Sequence, residues 1–89
     1  MNSADAANEL TRAHALLRAG NVVHAQALCR AVLARQPDHV DALRLLGQLL
    51  LKSRHFHEAA LHLRRAVALG AADSEPHEHL AQALIGLGR

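Results

Sequence analysis

Eight histidines, one cysteine and eight acidic residues are the groups with which this 89-residue chain could do chemistry. The closest histidine pairs are His55-x-His57 and His77-x-His79. Two imidazoles two residues apart on a helix point to different faces, and a structural zinc site takes four ligands, typically with several cysteines. Neither metal nor any other cofactor is expected, and the histidines read as solvated helix-surface groups. Nucleophilic and acid–base catalysis lack their parts as well. There is no Ser-His-Asp constellation and no Gly-rich phosphate loop, while Glu75 and Glu78 lie near a helix start, where acidic residues suit the dipole. Cys29 falls on an apolar stripe and reads as a small buried hydrophobe rather than a reactive thiol. Arg64 and Arg65, with Arg54 and Lys52, could touch phosphate. Single-strand binders also need aromatic faces, so these cations read as a solvated face. The chain is not expected to be an enzyme.

The elements that carry these groups are helices. Hydrophobic residues make up 51% of the composition, nearly all Ala and Leu, with one Phe and no Trp or Tyr. Ala and Leu lose least on entering a helix, and the β-branched and aromatic residues that favour strands are scarce. The formal net charge of +2 is mild and interspersed, unlike the clustered basic stripe of a nucleic-acid surface. No apolar run approaches the roughly 20 residues that span a bilayer. The first residues, MNSADAANEL, hold no basic segment followed by an apolar core, so no signal peptide is expected. One cysteine forms no internal disulfide. The expected location is the cytoplasm, with neither nucleic acid nor membrane as partner.

Taken in order, Ser3 with Asp5 behind it caps a first helix running to about Ala19, with Ala6, Leu10, Ala13 and Leu17 as its buried stripe and Leu16 alongside. Gly20 ends it and Asn21 caps a second helix from Val22, whose face is Ala25, Leu28, Cys29, Val32 and Leu33. Gln36-Pro37 stops that helix. Asp38 caps the third, where Ala42, Leu43, Leu45, Leu46, Leu49, Leu50 and Leu51 leave only Asp41, Arg44, Gln48 and Lys52 as a polar strip. A helix so apolar packs on several sides. Gly47 inside it costs about 1 kcal/mol relative to Ala, which points to a close helix approach. A turn at Ser53-Arg54-His55 leads to a fourth helix, about Phe56 to Leu69, with Phe56, Ala59, Ala60, Leu63, Ala66 and Val67 inward. Gly70 ends it. After the link Ala71-Ala72-Asp73, Ser74 and Pro76 open a fifth helix with the stripe Leu80, Leu84 and Leu87 and Ile85 beside it.

The pattern returns every 34 residues: Ala13, Gly47 and Ala81; Leu16, Leu50 and Leu84; Ala25 and Ala59; Cys29 and Leu63. A fixed period of this kind marks a repeat architecture. The unit Leu43-x-x-Leu46-Gly47-x-x-Leu50, then Ala59-x-x-x-Leu63-x-x-Ala66, resembles the tetratricopeptide repeat, a pair of antiparallel helices. The first unit keeps Ala13, Leu16, Ala25 and Pro37 but has Glu9 and Arg12 at two apolar positions and Val32 at a small one. The third keeps Leu80, Ala81 and Leu84, and Ala71 stands where a closing proline belongs. The resemblance implies an all-α, right-handed α–α superhelix of five helices, in units of about 6–39, 40–73 and a half unit 74–89, forming one repeat domain.

The same resemblance implies a protein-interaction module that binds a peptide or partner segment in a concave groove lined by the first helix of each unit. The groove residues expected on that basis are His14, Arg18, Arg44, Gln48, Lys52, Glu78 and Gln82. An alternative is an accessory domain that positions a protein acceptor for a transferase of the sulfotransferase or glycosyltransferase type. A third follows from the half unit: without a partner helix, Leu80, Leu84 and Leu87 would be open to self-association, giving a homodimer through the C-terminal end. The expected origin of that half unit is a longer, bacterial protein, because Gly88-Arg89 reads as the turn before another helix.

Overall fold

The computed structural model describes residues 3–70 and 75–88, and side chains over 5–70 and 77–88. Five helices follow one another: α1 Ser3–Arg18, α2 Val22–Arg35, α3 Val40–Lys52, α4 Phe56–Ala68 and α5 Glu75–Leu87. No strand occurs among the described residues. The caps expected at Ser3, Ser74 and Pro76 and the link 71–73 lie outside the described side chains.

Helix ends follow local chemistry. Gly20, at φ 83°, closes α1: its N–H donates to Leu17 O at 3.0 Å and the Asn21 N–H to Leu16 O at 2.8 Å, the paired bonds of a left-handed C-terminal cap. The same pair recurs after α3, where Arg54 N–H donates to Leu51 O at 3.0 Å and His55 N–H to Leu50 O at 2.9 Å. Arg54, 34 residues on from Gly20, holds φ 63°, a conformation that a side chain makes costly. Its guanidinium carbon lies 5.7 Å from the centroid of the Phe56 ring, a favourable cation–π contact that partly offsets that cost.

Two expected caps are corrected. The N-cap of α3 is His39, not Asp38: His39 Nδ1 accepts the Ala42 N–H at 3.3 Å. The bond from His39 N–H to Gln36 O closes a turn over Pro37 and Asp38 and moves the helix start one residue along, leaving the Asp38 carboxylate to bind Arg65 at 2.6 Å. Asn21 does stand at the N-cap of α2, but its side chain caps no backbone group. Its Oδ1 instead accepts from His24 Nδ1 at 2.7 Å.

α3 is the central element, packed against α1, α2, α4 and α5. That explains its wide apolar coverage: Leu43, Leu45, Leu46, Leu49 and Leu50 are all buried. Around them sit Ala6, Leu10 and Ala13 from α1, Ala25, Cys29 and Val32 from α2, and Ala59, Ala60 and Leu63 from α4. The small residues stand where helices come closest. A Cβ on Gly47 would lie 2.5 Å from Leu63 Cγ, and one on Gly86 would lie 2.6 Å from Phe56 Cδ1. α3 thus seats directly on α4, and α5 seats on the Phe56 ring.

α5 turns differently from the expected stripe. Among its described side chains Ala83 is the fully buried one, with Leu80 and Leu87 half-buried against the core, whereas Leu84 is 42% and Ile85 65% exposed. The docking of Gly86 on Phe56 sets this rotation, because it brings the Ala83 side of the helix inward and carries Leu84 and Ile85 outward. Glu9, at a position where the repeat pattern is apolar, is tied to Arg35 at the end of α2 by a charged hydrogen bond, so an ion pair joins α1 to α2 there instead of an apolar contact.

Candidate functional site

Successive first helices touch: α1 meets α3, and α3 meets α5. The backbones of α2 and α4 do not approach one another among the described residues, although Arg30 reaches Glu58 at 2.9 Å. The stack is therefore tighter on the α1–α3–α5 side, which makes that side the inside of the curve. Each of these helices turns its apolar stripe into the core, so its polar strip is what remains facing the groove.

Two clefts open between these helices. One, of about 220 Å³, lies between α3 and α5 and is lined by Gln48, Leu51, Lys52, His79 and Gln82. On α3, Gln48 and Lys52 are one turn apart; on α5, His79 and Gln82 are three residues apart, so each pair shares a face. The second cleft, of about 400 Å³, lies between α1 and α3 and includes Thr11, His14, His39, Asp41 and Arg44. Within it Arg44 binds Asp41 at 3.1 Å, a surface ion pair one helical turn long.

Five of the seven expected groove residues thus line the clefts, namely His14, Arg44, Gln48, Lys52 and Gln82. Arg18 and Glu78 are exposed and line neither. His79, Thr11, His39 and Asp41 line the clefts without having been expected there. For two of them the sequence held a usable signal, since Asp41 precedes Arg44 and His79 precedes Gln82 by three residues. The residues considered for self-association separate: Leu80 and Leu87 are largely taken up by the core, and Leu84 with Ile85 forms the open apolar surface of α5.

The other reactive groups lie apart from the groove. Cys29 is buried, and desolvation pushes its thiol from 9.0 up to about 12, slightly opposed by the charge of Arg30. Among the described residues no group of three or more His, Cys, Asp or Glu side chains is placed to hold a metal. No helix among them is long and apolar enough to cross a membrane.

Comparison with known proteins places this architecture. A search of curated proteins finds no match. Among solved structures, a mutant O-GlcNAc transferase from Thermobaculum terrenum is similar, with a TM-score of 0.88 and 36% identity over 93% of this chain. The chain spans only 16% of that protein's length. A model of the tetratricopeptide repeat matches residues 10–76. The small residues at the helix crossings, the recurring helix cap at Gly20 and Arg54 and this match agree: the chain belongs to the tetratricopeptide repeat family.

Proposed function

We propose that this chain is a non-catalytic recognition module that binds an extended peptide or partner segment along the groove of α1, α3 and α5. Repeats of this family generally mediate protein–protein interaction. The observation that carries the reading is the pair of clefts between successive first helices, both on the inside of the curve and both lined by polar side chains. Two openings in a row suit a linear ligand that sets successive side chains into successive units. The proposed setting is the cytoplasm.

Selection of short random peptides displayed on phage tests this. Enriched peptides should lose binding to a Gln48→Ala, Lys52→Ala double variant and keep it with Arg64→Ala on the outer helix α4. The opposite pattern, with the outer variant alone losing binding, would remove the groove from consideration.

A second reading draws support from the likeness to the O-GlcNAc transferase. In it, the groove would hold a protein acceptor for a transferase domain carried by the same natural polypeptide. Sequencing the natural gene beyond the codon for Arg89 tests it: a glycosyltransferase domain in the same frame would support this role, and a stop codon close by would end it.

A further inference from the structure

We infer that the cleft between α3 and α5 receives a carboxylate side chain, an Asp or Glu of the bound segment; this rests on the groove reading above. The inference starts from pairing. Arg30, Arg35, Arg44 and Arg65 each bind a carboxylate of this chain. Lys52, at the last position of α3, forms no ion pair among the described residues, although it stands in the α3–α5 cleft. One turn earlier Gln48 presents an amide to the same space, and Gln82 presents another from α5. His79 lines the same space, and its buried Nδ1 has no hydrogen-bond partner among the described residues.

The chemistry of the lining selects the ligand. Lys52 offers only donors, and each glutamine amide offers two donors and a carbonyl. A carboxylate accepts and does not donate, so it takes the ammonium and one amide. The second amide remains free for a peptide N–H or C=O. Among the described residues no acidic side chain lines this cleft, and none of them pairs with Lys52. The α1–α3 cleft differs, because Asp41 already occupies Arg44 there. Size narrows the choice further. A small-molecule site usually measures about 300 Å³ or more, whereas about 220 Å³ admits one side chain, with Leu51 as an apolar wall for its methylenes.

Three synthetic peptides test the proposal. The first is acetylated and amidated, with a single Glu flanked by leucines; the second has Gln in place of Glu; the third is the Gln peptide with a free C-terminal carboxylate. Each is titrated at low salt into the isotope-labelled 89-residue chain while amide resonances are followed. The Glu peptide should bind about fivefold more tightly than the Gln peptide, the range of one partly exposed ion pair, and should move the side-chain amides of Gln48 and Gln82. Lys52→Gln should abolish the difference and Lys52→Arg should keep it. Equal binding of the Glu and Gln peptides in the groove would overturn the carboxylate assignment while leaving the groove reading intact. A gain seen only with the free C-terminus would assign the cleft to a terminal carboxylate and overturn the side-chain proposal. If no peptide moves any resonance of α1, α3 or α5, both readings fall.

Discussion

A Cβ added to Gly47 would lie 2.5 Å from both Cγ and Cδ2 of Leu63 and 3.2 Å from Cδ1. The first two distances are well inside van der Waals contact, and Cγ is the branch point of the side chain, which moves only by turning both methyl groups with it about the Cα–Cβ bond. Gly47→Ala sets two effects against each other: a helix-propensity gain of about 1 kcal/mol and overpacking that costs roughly 1–3 kcal/mol in a filled core. Because Leu63 is fully buried, overpacking wins. Urea denaturation should show a net loss of about 1 kcal/mol or more. In a double-mutant cycle with Leu63→Val, part of that loss should be recovered.

At the start of α3, a histidine does the work of a better capping residue. His39 Nδ1 accepts the Ala42 N–H at a long 3.3 Å, whereas Asn presents a shorter, better aligned oxygen to the same group. His39→Asn should raise stability by about 0.5 kcal/mol, and His39→Ala should lower it by about the same amount or more. The urea midpoints of the three proteins check the order, and if the Ala variant matched the wild type this cap would have no energetic role.

Arg54 stands in the left-handed position that Gly20 fills one unit earlier. A non-glycine residue there costs roughly 1–2 kcal/mol, and stacking of an exposed Arg on Phe56 returns about 0.5–1 kcal/mol. Arg54→Gly should therefore leave the thermal midpoint unchanged or raise it. Arg54→Ala, which keeps the strain and loses the ring contact, should lower it.

Cys29 gives the fold a pH dependence of known sign. Its thiol is pushed from 9.0 up to about 12 by burial, so the folded state holds the proton more tightly than the unfolded one. The contribution is complete below about 9 and is lost as pH climbs from about 9 towards about 12. Wild-type stability should fall more steeply than that of Cys29→Ala over this range. Alkylation by iodoacetamide at neutral pH should be negligible until the chain unfolds, since both burial and the scarcity of thiolate oppose it.

The rotation of α5 is testable by paired charges. Ile85→Lys, on a 65% exposed residue, should change stability by less than about 0.5 kcal/mol. Ala83→Lys, on the buried side, should cost several times as much or prevent folding. Circular dichroism melts distinguish the two, and a larger loss for Ile85→Lys than for Ala83→Lys would mean that α5 presents Leu84 and Ile85 inward instead.

The 34-residue return of Ala13, Gly47 and Ala81, of Leu16, Leu50 and Leu84, and of Ala25 and Ala59 determined the helix pairs, their order and the close crossing at Gly47. Those features were legible because they depend on residue size at positions that neighbouring repeats share. The polar strip of α3 could be read in the same way: once seven apolar residues are assigned to the core, Arg44, Gln48 and Lys52 have nowhere else to face. Only the tertiary structure decided how α5 turns. Leu84 and Ala83 are adjacent in sequence, and which of them is buried depends on Gly86 meeting Phe56, a contact between residues 30 positions apart. The cap of α3 was hidden for a similar reason, since Asp38 is the better capping residue by type but is drawn to Arg65 on the next helix. The α3–α5 cleft likewise joins His79 to Lys52 across two helices. Periodicity assigns residues to faces within a helix, but the pairing of side chains between helices is set by how closely and at what rotation the helices pack.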